Sequence, residues 1–256
     1  MTTEPVGESR WFEPDWPLPP GVRALQTTRC GGVSSGPWSG FNLGDHVGDD
    51  PAAVAANRAA LAGYIGCNPR WLRQVHGTAV CDLDRCAAEV READAALARQ
   101  VGQVCVVMTA DCLPVLLCAD DGSVVGAVHA GWRGLLAGVI EAAIREMAVP
   151  GRHILAWLGP AIGPAAFEVG DEVRAAFVAA DAAAAPCFRP SPGGRWLADL
   201  YGLARLRLAG SGVLNLAGGD ECTLRDAARF YSYRRDGVTG RMATLIWKAG
   251  GAGESR

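Results

Sequence analysis

Residues 103–134 read QVCVVMTADCLPVLLCADDGSVVGAVHAGWRG, and three apolar runs inside this stretch decide the class of the fold. Gln103 to Met108, Leu113 to Cys118 and Ser123 to Val128 are short and rich in Val and Leu, the pattern of strands buried on both faces. They are expected at the centre of a sheet. His129 closes the third run, and Ala130-Gly131-Trp132-Arg133-Gly134 leads into a helix of roughly fourteen residues, with apolar positions at helical spacing from Leu135 to Met147. A strand-turn-helix junction of this kind is where open α/β folds commonly put their chemistry.

Working outward, Val22 to Thr27 reads as a strand, and a glycine-dense stretch from Thr28 to Gly48 reads as either a long functional loop or a tight set of turns. Asp49 or Asp50 can cap the next segment and Pro51 suits its first turn, so Pro51 to Tyr64 is expected to be a helix with Val54, Leu61 and Tyr64 toward the core. Trp71 to Val75 and Thr78 to Leu83 look like short strands around His76 and Gly77, which would put His76 at a strand end or turn. Beyond the helix, the pattern gives a strand at Ile154 to Leu158 and helices from about Gly170 to Val178 and from about Trp196 to Ala209. Strands near Val213 to Leu216 and Met242 to Trp247 complete it. Strands and helices alternate, so the class is α/β. With no internal repeat and no Pro/Gly/Ser linker, one domain over residues 21–256 is the simplest reading, after an irregular N-terminal segment over residues 1–20.

The bulk composition narrows the function. A chain of 256 residues with 50% hydrophobic content can bury a large core without staples. A formal net charge of −3 and scattered arginines leave no basic field to gather phosphate backbone, so nucleic acid is not expected as a partner. Met1 to Pro20 carry acids among prolines and no apolar run, which reads as neither a signal peptide nor a membrane span. Nine cysteines without CxxC pairs point to a reducing cytoplasm and to thiols that are mostly packing groups, as Cys105 and Cys118 on their apolar strands should be.

Three residues stand in suggestive places: His76 at a strand end, Cys112 between two buried strands, and His129 at the strand-to-helix turn. Taken singly, each histidine reads as readily as a structural hydrogen-bonder and the cysteine as a small core hydrophobe. Together, two imidazoles and one thiolate suit zinc, and three protein ligands leave the fourth tetrahedral position open, as catalytic zinc requires. The three are far apart in the chain, so tertiary structure must assemble the site. His46 and His153 fall outside this set. Asp111 could orient a ligand or simply cap a turn.

The segments Trp71-Leu72-Arg73-Gln74-Val75-His76-Gly77, Thr109-Ala110-Asp111-Cys112-Leu113-Pro114 and Val128-His129-Ala130-Gly131-Trp132-Arg133-Gly134 closely resemble the three signature segments of the YfiH/laccase-domain family (DUF152) of purine nucleoside phosphorylases. The resemblance extends through Thr28 to Ser34, Asn42-Leu43-Gly44, Leu158 to Gly163 and Phe230 to Arg241. It implies a four-layer α/β/β/α sandwich of helices around two packed mixed sheets. It further implies zinc at His76, Cys112 and His129, phosphorolysis of adenosine, inosine and methylthioadenosine, and hydrolytic deamination of adenosine.

A phosphorylase needs an anion pocket and a purine-stacking face. Arg133, with the backbone amides around Gly131 and Gly134, is the first choice for phosphate, the alternative being a surface ion pair. Arg29 and Asn42 could bring a cation and an amide to the same mouth, or could staple the glycine-rich loop. Tyr233 and Arg234 could stack on a base and hold phosphate, or lie on an edge strand. Rival functions are a Cys-His hydrolase or deamidase using Cys112 as nucleophile and His129 as base, a peptidoglycan-editing enzyme, and, from the family's older name, a copper-dependent polyphenol oxidase. Four histidines are few for a multicopper centre, which ranks copper behind zinc. A monomer or homodimer acting on nucleoside and phosphate is expected.

Overall fold

In a computed structural model the structure describes residues 9–86 and 92–250. The N-terminal expectation for residues 1–8, and that for 251–256, lie outside this range. The strands are β1 (Trp11–Phe12), β2 (Val22–Thr27), β3 (Val80–Asp82), β4 (Ala95–Ala98), β5 (Val104–Thr109), β6 (Leu113–Ala119), β7 (Val125–Ala130), β8 (Ile154–Leu158), β9 (Glu168–Val169), β10 (Phe188–Ser191), β11 (Arg195–Ala198), β12 (Asn215–Gly218) and β13 (Met242–Lys248). The helices are α1 (Pro51–Ile65), α2 (Trp132–Ala137), α3 (Val139–Met147), α4 (Asp171–Ala180), α5 (Leu200–Gly210) and α6 (Tyr233–Asp236).

Two sheets dominate. One has the order β12-β8-β6-β7-β4-β3, the other β1-β2-β13-β5, and a small third sheet runs β10-β11-β9. The period-two alternation of each strand assigns its faces to layers. In β6, Leu113, Val115 and Leu117 pack with α3 and α5 on the outer face, while Leu116 and Cys118 join Cys105 and Val107 of β5 and Ile246 of β13 between the sheets. Val104, Val106, Leu245 and Trp247 turn the other way and pack with Leu61 of α1. Helices, the six-stranded sheet, the four-stranded sheet and α1 thus form the four-layer α/β/β/α sandwich. The larger sheet is mixed, with parallel β12/β8 and β3/β4 pairs beside antiparallel ones; the pairs of the smaller sheet are all antiparallel.

Several local expectations change. The three apolar runs do not share a sheet: β5 pairs with β13 in the smaller sheet, while β6 and β7 pair in the larger one. A strand buried on both faces looks the same in either sheet, so the crossover at Ala110-Asp111-Cys112 leaves no periodic signal. The helix after His129 breaks at Gly138, whose φ of 94° lies in the left-handed region, into α2 and α3. Trp71 to Val75 forms no strand: isolated bridges lie at Arg70 and Arg73, and the Gln74 side chain pairs with the Met108 main chain. Arg195–Ala198 is a strand rather than the start of α5, because Asp199 caps that helix by accepting from Gly202 N. Helix α1 is capped by Asp50 and buries Val54 and Leu61, but Tyr64 is exposed and rests on the Trp11 ring. The segment before residue 21 is not wholly irregular, since β1 pairs with β2 and Trp16 is buried.

Candidate metal centre

The β5–β6 crossover decides where the chemistry sits. Leaving the smaller sheet at Thr109 and entering the larger at Leu113, the chain places Cys112 at one end of the space between the sheets. His129 stands beside it, because Pro114 and His129 are partners in the β6–β7 register. His76 comes from the loop before β3. The three ligand atoms lie within 4.8 Å of one another, with Cys112 Sγ 3.7 Å from His76 Nε2 and the two imidazole rings edge to face at 4.8 Å. His129 is buried, Cys112 half-buried and His76 exposed at the mouth.

The turn at Gly131 leaves room for this cluster. A Cβ there would fall 2.8 Å from His76 Cδ2 and 3.0 Å from Cys112 Sγ. The backbone is also forced: His76 has φ 60° and Asp111 φ 89°, left-handed values that non-glycine residues adopt at a cost and that gather at functional sites.

Asp94, which the sequence did not single out, sits beneath the cluster with no exposed surface. It accepts from His129 Nδ1 at 2.8 Å and from the amides of His76 and Gly77 at 2.9 and 2.7 Å. Its only sequence signal would have been its place before a short alanine run, which carries no chemistry. Burial pushes the Asp94 carboxyl up, but these donors outweigh it and hold it below the usual range. Burial likewise pushes the Cys112 thiol up, and the two imidazoles overcome it and bring it down to about 6. His129 is lowered by burial yet raised to about 9 by the thiolate and Asp94. A thiolate between two imidazoles, one of them oriented by a buried carboxylate, is a donor set that can hold a metal ion.

The cluster opens into a cleft of about 250 Å³ lined by Trp132, Arg133, Phe167, Tyr233 and Arg234 among others. Arg133 is exposed and its guanidinium lies 4.4 Å over the Trp132 ring; no carboxylate pairs with it among the described residues. Tyr233 and Arg234 begin the short helix α6, capped by Ser232, and not an edge strand. Asp111 accepts from Arg234 N at 2.7 Å and from Thr223 Oγ1 at 2.6 Å, tying α6 to the cleft wall.

Two of the expected binding residues are placed elsewhere. Asn42 is fully buried, and its amide is used by Gly44, Asp49 and the Arg241 backbone. Arg29 stacks on Tyr231 and donates to the Ala227 carbonyl, away from the cleft lining. The glycine-rich stretch is therefore a set of turns bound to the core, with Asn57 of α1 donating to Ser34 Oγ and the Asn42 carbonyl. Sequence reasoning also passed over Arg241, whose mostly buried guanidinium is lowered by burial and held up by the nearby Cys112 and Asp111 charges. His46 is paired with Asp45 and His153 with Asp120, outside the cluster. Cys105 and Cys118 are buried packing groups, their thiols pushed up by burial. No helix among the described residues is long and apolar enough to cross a membrane.

This mixed sandwich with a His-Cys-His group at the end of its inter-sheet layer defines a class of α/β protein whose three donor atoms are close enough to share one metal ion. The profile of the multi-copper polyphenol oxidoreductase laccase family matches residues 23–249, and the chain belongs to this YfiH/DUF152 family. It is 55% identical over 238 residues to a purine nucleoside phosphorylase of Pseudomonas aeruginosa, covering 93% of this chain and 98% of the relative. The purine nucleoside phosphorylase YfiH of Escherichia coli K12 is 52% identical over 241 residues, 93% and 99% of the two chains. The crystal structure of a DUF152 protein of Neisseria meningitidis superposes with a TM-score of 0.92 at 47% identity, over 94% of this chain and all of that one. YlmD of Geobacillus stearothermophilus gives 0.81 at 32% identity, over 90% and 93% of the chains.

Proposed function

We propose that the chain is a zinc-dependent purine nucleoside phosphorylase acting on adenosine, inosine and methylthioadenosine, with adenosine deaminase activity, and that residues 21–256 act as one catalytic unit in the cytoplasm. The observation that carries the reading is the His76–Cys112–His129 cluster at the floor of a cleft whose walls offer aromatic rings and cations. The phosphorylase names of relatives more than 50% identical support it.

The residues fit the metal: two imidazole nitrogens and a thiolate lie within 4.8 Å of one another, and Asp94 engages His129 Nδ1, which leaves Nε2 to face Cys112. When bound, zinc supplies Lewis-acid charge at the floor of the cleft. The rest of the work falls to the chain. Tyr233 and Trp132 offer faces for a purine, while Arg133 and Arg234 offer guanidinium groups that hold phosphate against the sugar. A phosphate oxygen then bonds to the anomeric carbon as the glycosidic bond breaks, and the purine leaves with the bonding pair. Holding the two reactants in register lowers the barrier by removing translational freedom. Helix α2 has only six residues, so the Arg133 side chain carries more of the anion binding than any helix dipole.

A second reading has its own observation: Asp94, His129 and Cys112 also form an orienter-base-thiol chain suited to a Cys-His hydrolase or deamidase. The second imidazole, His76, on the same sulfur has no role in that chain and favours the metal. A polyphenol oxidase in the multicopper manner would need more imidazoles than the four present. Purified, metal-analysed protein incubated with inosine, with and without phosphate, separates these. Phosphate-dependent release of hypoxanthine and ribose 1-phosphate, with about one zinc per chain that is lost in His76→Ala and Cys112→Ala, is the expected result. No base release from zinc-loaded protein would overturn the phosphorylase reading. Activity that survives chelation but is abolished by thiol alkylation would favour the hydrolase.

A further inference from the structure

The carboxylate of Asp94 has four donors and no exposed surface. Oδ1 accepts from His129 Nδ1 at 2.8 Å and from His76 N at 2.9 Å; Oδ2 accepts from Gly77 N at 2.7 Å and from Val75 N at 3.2 Å. Its main chain is bound as well, with its carbonyl accepting from His129 N at 2.7 Å and its amide donating to the Ala79 carbonyl at 3.0 Å. The β4–β7 register, which pairs Ala95 with Val128, sets Asp94 beside His129.

Each half of this arrangement constrains a different side chain. An ionised carboxylate only accepts, so the imidazole facing it must carry its proton on Nδ1 and turn the Nε2 lone pair away, toward Cys112 and His76. On the other side, the amides of Val75, His76 and Gly77 converge on one anion, the concave backbone arrangement that needs a left-handed residue within it. That residue is His76, at φ 60°. The anion therefore holds the turn that aims the His76 ring.

We propose that Asp94 is the positioning residue of the centre, coupling two of its three ligands by fixing the His129 tautomer and the His76 turn through one buried carboxylate. The proposal rests on the metal reading given above. It goes beyond that reading by making ligand geometry depend on a group that touches neither zinc nor substrate. A carboxylate serving only to anchor the loop would leave the choice of His129 nitrogen unaffected.

The test uses full-length protein with ¹⁵N-labelled histidine, titrated with zinc against a competing chelator, as wild type and Asp94→Asn. In the asparagine variant one edge of the side chain becomes a donor and faces either backbone amides or the imidazole proton, so one half of the network must break. In zinc-loaded wild type, the expected spectrum shows His129 ligated through Nε2, with an exchange-protected proton on Nδ1. Asp94→Asn, checked for its fold by circular dichroism, is expected to weaken zinc binding by about 10- to 100-fold and to lose either the protected Nδ1 proton or the hydrogen bonds to the Val75 and Gly77 amides, according to which edge the amide turns to His129. Unchanged zinc affinity in a folded variant, or ligation of wild-type His129 through Nδ1, overturns the proposal. Should the variant fail to fold, the wild-type spectrum alone decides between Nε2 and Nδ1 ligation. A wild type that takes up no zinc instead overturns the metal reading itself, and the positioning role with it.

Discussion

A methyl group on Gly131 would meet His76 Cδ2 at 2.8 Å and Cys112 Sγ at 3.0 Å, while the backbone there, at φ −63° and ψ 156°, is one that alanine adopts freely. Gly131→Ala is therefore expected to act on the site and not on the chain. Zinc affinity should fall about tenfold or more, read by chelator competition, with the melting temperature of the metal-free protein nearly unchanged. Arg133 sits exposed on the Trp132 ring at the cleft mouth. Arg133→Ala should raise the KM for phosphate about tenfold while leaving zinc content intact, the loss of roughly one charged hydrogen-bond partner; an unchanged phosphate KM would remove Arg133 from the binding set. At this scale the sequence was partly legible. His76, Cys112 and His129 were visible because histidines are few and the three residues lie in segments that resemble the family's signatures. Asp94 was not, because nothing in Asp94-Ala95-Ala96 distinguishes a carboxylate with four buried donors from one that caps a turn. Asn42 and Arg29 were misplaced for the same reason: an amide and a guanidinium satisfy backbone groups as well as they satisfy substrates.

Helices α2 and α3 illustrate what a local pattern records and what it omits. The apolar spacing from Leu135 to Met147 was read as one helix, and the buried set Val139, Ile140, Ala143, Ile144 and Met147 confirms the face. The break at Gly138 lies in a backbone angle, φ 94°, to which hydrophobic spacing is blind. Gly138→Ala should cost about 1–2 kcal/mol in urea denaturation, the penalty of a side chain in the left-handed region. A smaller loss would mean that the two helices can merge. Strand β4 was missed altogether, because Ala95–Ala98 lacks the β-branched residues that mark strands; alanines suit it because it is covered on both faces, where a larger side chain would crowd Gly126 or the neighbouring sheet. Trp196 was drawn into α5 by its apolar neighbours, yet Asp199 starts that helix three residues later and leaves Arg195–Ala198 to pair with β10.

At the scale of the molecule, the layer between the sheets and the His76–Cys112–His129 cluster at its end share strands. Leu116 and Val107 face each other's sheet within that layer and are fully buried. Leu116→Ala should destabilise the fold by about 2–5 kcal/mol in chemical denaturation. Zinc would join the 71–79 loop, the β5–β6 crossover and the end of β7, so a chelator should lower the melting temperature of the wild type. A ligand present at a hundred times its dissociation constant stabilises by about 2.7 kcal/mol. Chelator should have no such effect on Cys112→Ala, and an equal response in both proteins would place the metal elsewhere. The sequence by itself determined which segments are strands and helices over β2, α1, β6 to β8, α4 and β13, because side-chain periodicity and capping are properties of neighbouring residues. Through the resemblance it also named the three candidate ligands. Only the tertiary structure decided that β5 leaves the sheet of β6 and β7, that Cys112 falls in the crossover between them, and that Asp94 joins His76 to His129. Those choices rest on pairings between segments distant in the chain, whose energies depend on what lies across the layer and leave no mark in the local pattern.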